Sequence, residues 1–151
     1  MDIGSGKAYP SNALSNFAPH KFEMDGVTCA SMEGFLQSLK FSNVDMQKYV
    51  CSLVGMKAKS TGKNKAWWRT QTLYWNGVEI DRHSSEYQDL LDRAYFQLAQ
   101  NSSFRKALLA TKGATFTHSI GKNDSSHTIL TVSEFVHRLY RIRNYYENAV
   151  W

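Results

Sequence analysis

The sequence predicts an α+β fold: a compact single domain, mostly helical, with short β-hairpins or a small sheet. Three observations carry this expectation. Two pairs of short apolar runs flank the dipeptides Asp25-Gly26 and Asn76-Gly77, the preferred turns of tight hairpins. Most of the remaining chain repeats apolar residues at intervals of about three and four, as amphipathic helices do. With 151 residues, 42% hydrophobic and 21% charged, the chain can bury one core but is short for two ordinary domains, so one domain over 1–151 is expected.

Taken in order, Tyr9-Pro10-Ser11-Asn12 reads as a turn. Leu14-Ser15-Asn16-Phe17-Ala18-Pro19 reads as an irregular segment, either a ligand-touching loop or an ordinary Asx or Ser turn. Phe22 and Met24 alternate with Lys21 and Glu23, Asp25-Gly26 turns the chain, and Val27 and Cys29 continue the apolar side. A helix over 31–41 follows directly. Asn43 is placed to cap a second helix over 44–59, with Met46, Val50, Leu53 and Val54 buried and Gly62 beyond its end. Lys57, Lys59, Lys63 and Lys65 then lead into Trp67-Trp68-Arg69. Interleaved cations and aromatics suit phosphate pairing with base stacking, or a solvated basic turn with at least one tryptophan in the core.

Leu73-Tyr74-Trp75 and Val78-Glu79-Ile80 form the second hairpin, read as a structural insert. Ser85-Glu86-Tyr87-Gln88 has the form of a capping box opening a helix over 85–100, with Leu90, Leu91, Ala94 and Leu98 inward. A short helix over 104–111, a β-like segment over 115–120 and a polar loop over 121–127 follow. Thr131-Val132-Ser133-Glu134 is a capping box for a last helix with Phe135, Leu139 and Ile142 inward. Arg138, Arg141 and Arg143 spread around that helix, either solvating it or contacting nucleic acid.

The 31–41 helix organises the candidate site. At about 100° per residue, Glu33, Gln37 and Lys40 form one polar stripe beside an apolar arc of Met32, Phe35, Leu36 and Leu39. Ser31 is a fitting N-cap, which sets Glu33 in the first turn, where free N–H groups favour a carboxylate. Gly34 and Ser38 make a strip of small residues that admits a close neighbour. The alternative is a surface helix whose charges face water. In the 121–127 loop, a glycine and small donors beside Lys122 suit an anion or a ribose, again with a solvated loop as the alternative. Gly4-Ser5-Gly6-Lys7 lacks the spacing of a phosphate-binding loop.

Composition narrows the classes. Cys29 and Cys51 match no metal spacing and are expected as buried thiols, which suits a cytoplasmic protein. No apolar run reaches membrane-span length, no signal peptide is evident, and no membrane partner is expected. A net charge of +5 favours an anionic partner without naming it. The histidines and cysteines form no ligand set, so neither metal nor cofactor is expected.

Together, Leu14-Ser15-Asn16-Phe17-Ala18-Pro19, Asp25-Gly26 and Glu33-x-x-x-Gln37-x-x-Lys40-Phe41 closely resemble the opening signature of the NADAR family, also called YbiA-like, in order and spacing. The resemblance continues through residues 58–62, Trp68 and 117–143. It implies an N-glycosidase acting on a ribosyl-phosphate substrate. Some members remove ADP-ribose from guanine bases in nucleic acid, and others cleave phosphoribosyl intermediates of riboflavin synthesis.

By matched position, Glu33 is the implied catalytic carboxylate, with Gln37 and Lys40 in the same pocket and Ser15, Asn16 and Phe17 flanking it. Lys40 would hold a phosphate or attack the sugar carbon as an amine. Many members carry Trp-Gly-Asp-Gly near the C-terminal part, whereas this chain has Thr117-His118-Ser119-Ile120-Gly121-Lys122-Asn123-Asp124, so Asp124 is the candidate replacement. His118, Ser119, Gly121 and Lys122 would cradle a diphosphate or ribose, Trp68 or Phe17 would stack on a base, Arg69, Lys63 and Lys65 would guide a nucleic-acid backbone, and Gly62 falls within the matched segment. The expected partner is ADP-ribose or ADP-ribosylated nucleic acid, modified by an ADP-ribosyltransferase toxin whose action an antitoxin or a phage counter-defence enzyme would reverse. A module that binds ADP-ribose without cleaving it is the non-enzymatic alternative.

Overall fold

Both hairpins form where their turn dipeptides place them. Phe22–Met24 (β1) pairs antiparallel with Val27–Cys29 (β2), Met24 opposite Val27. Thr72–Trp75 (β3) pairs with Val78–Asp81 (β4), Trp75 opposite Val78. Both residues of each turn hold positive φ, 49° and 81° at Asp25-Gly26 and 50° and 81° at Asn76-Gly77, the geometry whose twist matches the flanking strands. The structure is a computed structural model that describes residues 1–148, so the last three residues of the expected domain lie outside it. The hairpins remain two separate sheets, and seven α-helices among the described residues surround them, making the fold α+β.

The helix expected over 44–59 is two helices, Val44–Cys51 (α3) and Gly55–Gly62 (α4). Asn43 caps α3 as expected, its side chain accepting the Met46 N–H. The break traces to Met32–Ser38 (α2). There Gly34 approaches so closely that a Cβ would meet the carbonyl oxygens of Leu53, Cys51 and Val50 at 2.5 to 3.0 Å. Two of those carbonyls serve α2 and its lead-in instead of a continuous helix: Cys51 O accepts the Ala30 N–H and Leu53 O accepts the Ser31 hydroxyl, each at 2.9 Å. Gly55, with φ of +58°, restarts the chain as α4. Gly62 therefore ends that helix instead of following it.

Ser31 caps α2 by accepting the Gly34 N–H. The helix stops at Ser38, so Lys40 sits in the turn beyond it. The segment expected as a turn near Pro10 contains a short helix, Ser11–Leu14 (α1). Ser85–Leu98 (α5) is capped by Ser84, not by a Ser85 box, because Ser84 accepts the Tyr87 N–H and the Gln88 amide is drawn 2.7 Å from Glu134. Asn101 starts Ser102–Leu109 (α6) two residues earlier than expected. Val132–Glu147 (α7) has the full Thr131–Glu134 capping box. Residues 115–120 form no strand; Thr117 makes one isolated parallel bridge with Asp2.

A continuous cluster of buried side chains includes Phe35 and Leu39 of α2, Leu73 of β3, Leu91 of α5 and Leu139 of α7. Two arginines of α7 are structural, where solvation or nucleic-acid contact was expected. Arg138 is 5% exposed and pairs with Asp92 at 3.1 Å, and Arg143 donates to the carbonyls of Thr111 and Ala114. They bind α7 to α5 and to the chain after α6. Arg141 is exposed and also pairs with Asp92. Cys29 and Cys51 are buried, unbridged thiols. No helix among the described residues is long and apolar enough to cross a membrane.

Candidate active site

A cavity of about 330 Å³ opens where α2 faces segment 15–17, α4 and the chain between His118 and Thr131. Its floor is fixed by backbone. Glu33 N–H donates to Asn16 O at 2.9 Å, which ties the first turn of α2 to the irregular segment before β1. The Asn16 side-chain oxygen accepts the hydroxyl of buried Tyr95 at 2.7 Å. One turn along α2, Gln37 Nε2 donates to Glu33 Oε1 at 3.0 Å. Lys40 Nζ donates to Gly62 O at 3.3 Å, so α4 holds the lysine that α2 is too short to carry.

Burial pushes the Glu33 carboxyl above its ordinary range, against the opposing pull of the Gln37 hydrogen bond and of Lys59 and Lys40. Burial likewise lowers the Lys40 amine, with Glu33 opposing and Lys59 adding to the shift. For both groups the loss of water outweighs their mutual attraction, and no ion pair within 4.0 Å joins them among the described residues. Opposed shifts of this kind bring a carboxylate and an amine nearer to neutral-pH proton exchange, a pattern found at reactive sites.

The facing wall comes from the loop before α7. His118 Nδ1 lies 2.7 Å from Ile3 O, and its ring meets Phe135 edge-on at 5.2 Å. Lys122 O accepts the Val132 N–H, anchoring the loop on the start of α7. Asp124 accepts the Ser126 N–H and stands 2.7 Å from His127 Nδ1. These two bonds, the backbone one first, hold its carboxyl below the usual range.

Nine of the sequence candidates line this one cavity: Ser15, Asn16, Phe17, Glu33, Gln37, Lys40, His118, Gly121 and Lys122. Five stand elsewhere. Ser119 turns away, its hydroxyl 2.6 Å from Asp2. Gly62 backs Gln37 from behind. Asp124 is exposed and presents its neighbour His127, which does line the cavity. Trp68 is 54% exposed, with the Arg69 guanidinium 5.3 Å from its ring centroid; the wall is Trp67, which is 8% exposed.

Lys59 is read from sequence only as one of the basic run 57–65, His127 only as the end of the polar loop 121–127, and Tyr95 not as a site residue at all. Lys59 follows Ala58, the buried small residue by which α4 packs, and that neighbour was its available signal. Tyr95 shares the inner face of α5 with Leu91 and Leu98 and reads from sequence as plain core. Among the described residues no cluster of three or more His, Cys, Asp or Glu side chains is placed to hold a metal.

The fold and the sequence are similar to those of known proteins. The chain is similar to the NMR structure of the E. coli protein YbiA, with a TM-score of 0.61 at 19% identity over 96% of this chain and 82% of that one; that likeness establishes a YbiA-like fold. It is 42% identical over 149 residues to an uncharacterized 17.1 kDa protein in the Gp30-rIII intergenic region of Enterobacteria phage T4, spanning 95% of this chain and 97% of the relative. Residues 8–144 match the family described as Bacteriophage protein GP30.3, and the chain belongs to that family.

Proposed function

We propose that this protein is an N-glycosidase that removes ADP-ribose from modified guanine bases in nucleic acid. The observation that carries the reading is Glu33: a desolvated carboxylate held in a cavity by Gln37, with Lys40 and Lys59 beside it. Breaking the bond from the ribose anomeric carbon to a base nitrogen develops positive charge on the sugar. A fixed carboxylate at about 3 to 4 Å stabilises that charge. Its raised proton affinity suits Glu33 to take a proton from water as the water oxygen bonds to the anomeric carbon. The electron pair of the broken bond leaves with the base nitrogen.

The lysines and the loop at Gly121 and Lys122 are suited to phosphate oxygens and ribose hydroxyls. Phe17 offers an aromatic face to the base. With Nδ1 engaged by Asp124, His127 keeps Nε2 for the departing base. Lys40, drawn towards its neutral form, is also the candidate amine for covalent attack on the sugar. In a bacteriophage protein, this activity would undo a modification that an ADP-ribosyltransferase toxin places on nucleic acid.

The size of the cavity favours a second substrate class. About 330 Å³ lies at the small end of ligand sites, which run from about 300 Å³, and suits a ribosyl phosphate with its base. Phosphoribosyl intermediates of riboflavin synthesis fit that description. The deciding experiment incubates the protein and a Glu33→Gln variant with an oligonucleotide carrying ADP-ribose on guanine. Free ADP-ribose is followed by chromatography. Release by the parent alone supports the proposal. Release by neither, with phosphoribosyl compounds cleaved by the parent, transfers the mechanism to the metabolite; tight binding without cleavage of either leaves a binding module.

A further inference from the structure

The edge formed by α4 and the 3-10 turn Trp67–Arg69 is basic, and Lys48 of α3 precedes it in the same acid-free stretch. Between Asp45 and Glu79 the chain has six cations, Lys48, Lys57, Lys59, Lys63, Lys65 and Arg69, and no carboxylate. The protein has 18 lysines and arginines against 13 acids, so outside this stretch the acids slightly outnumber the cations. All six are exposed, and none makes an ion pair within 4.0 Å among the described residues. Elsewhere the cations are mixed: Arg82, Arg93, Arg138 and Arg141 each meet a carboxylate within 3.1 Å, while Lys21, Lys106, Lys112 and Lys122 are exposed. This stretch therefore carries more unopposed cations than any other in the chain.

On that surface Trp68 stands 54% exposed. Its backbone is held: Gln71 Nε2 donates both to Trp68 O at 2.8 Å and to Ser126 O at 3.0 Å, tying the turn to the 121–127 loop. Its neighbour Trp67 and the exposed Lys59 both line the cavity, so the basic edge runs into the site. We infer that this edge docks single-stranded nucleic acid, with Trp68 stacking on an unpaired base and the lysines following the phosphates. The inference extends the nucleic-acid reading of the cavity. A duplex buries its base faces in its own stack, so an exposed indole beside unpaired cations is matched by a single strand.

The test uses the full chain and a labelled, unmodified oligonucleotide of about 12 nucleotides, as a single strand and as a duplex, in anisotropy titrations. The strand is expected to bind at least tenfold more tightly than the duplex, and Trp68→Ala to weaken it by roughly tenfold. A Lys63→Gln, Lys65→Gln double variant is expected to flatten the log–log salt dependence by about 0.7 for each phosphate it leaves unneutralised. Circular dichroism of the variants checks that they remain folded. Equal binding of strand and duplex, parent-like affinity in folded Trp68→Ala, or displacement of the strand by anionic lipid vesicles would each overturn the inference. Since the probe carries no ADP-ribose, an inactive protein that still binds it overturns only the glycosidase reading. An active protein indifferent to Trp68→Ala overturns only the docking surface.

Discussion

Gln37 and Gly62 meet with no space for a methyl group between them: a Cβ on Gly62 would overlap Gln37 Oε1. That oxygen is buried without a hydrogen-bond donor, while the amide nitrogen of the same side chain donates to Glu33. α4 therefore sets the position of the Gln37 amide, and through it the position of the Glu33 carboxylate. An unpartnered buried carbonyl has an energetic cost, accepted here where α2 and α4 close the back of the cavity.

Gly62→Ala is accordingly expected to damage the site as well as the packing. Overpacking costs about 1–3 kcal/mol, and for a chain of this size each kcal/mol lowers Tm by about 2–4 °C. The displaced amide should release Glu33, so turnover of the ADP-ribosylated oligonucleotide should fall beyond what the smaller folded fraction explains. A variant with lowered Tm but parental kcat would show that Gln37 does not position the carboxylate.

Glu33→Gln should stabilise the fold near neutral pH while abolishing turnover. The folded state holds the Glu33 proton more tightly than the unfolded chain. Stability is therefore lost as pH rises from the unfolded carboxylate range through the raised folded value, and the cost is fully present above it. Glutamine removes that cost. The Tm difference should favour the variant at pH 7 and shrink towards zero below about pH 4, where the carboxyl is protonated in both states. Melting curves from pH 4 to 8 check this, and an unchanged or lower Tm at pH 7 would mean that attraction to Lys40 and Lys59 outweighs desolvation.

How far the sequence reaches is visible in the helix pair packed on α2. Local chemistry was legible: Ser31, Asn43 and Thr131 cap where side-chain rules put them, and both hairpins follow their dipeptides. The break between α3 and α4 was not, because its cause is the backbone of α2 pressing on carbonyls about 20 residues away in sequence. Glu33, Gln37 and Lys40 were readable as a stripe. Lys59 and His127 were not, since each reaches the cavity from another element, and His127 does so through its bond to Asp124. Two of the α7 arginines were misread for the same reason: Arg138 and Arg143 find their partners on other segments.

The pair of buried Arg82 and part-buried Glu134 supports the wall that carries the loop. Arg82 is 1% exposed and donates to both Glu134 oxygens at 3.0 and 2.7 Å. Burial alone would raise the Glu134 carboxyl, but hydrogen bonds from Arg82, Gln88 and the Thr131 N–H hold it below its usual range. This stability is present above the unfolded carboxylate range and is lost as pH falls through the lowered folded value. Glu134→Gln leaves Arg82 uncompensated, and the expected cost is about 3–5 kcal/mol. Urea unfolding at pH 7 measures it. A loss under about 1 kcal/mol, the worth of an exposed pair, would show that the network is dispensable.

Lys40 supplies the last test, because desolvation and function make the same demand on it. With its amine drawn below the usual lysine range by burial, a larger fraction is neutral at a given pH than for an ordinary lysine; Lys63 and Lys65 stand exposed on the neighbouring turn. Neutral amines condense with aldehydes. Limited reductive methylation with formaldehyde and cyanoborohydride near pH 7.5, read by peptide mass spectrometry, should therefore label Lys40 ahead of those two lysines, and ADP-ribose should protect it. Labelling of Lys40 no faster than Lys63 would mean that its attraction to Glu33 restores the charged form. In that case the residue serves only as a cation for phosphate, and Lys40→Arg should keep kcat. If Lys40 is the leading site, Lys40→Arg should remove turnover, and borohydride added during turnover should leave a sugar adduct on this lysine.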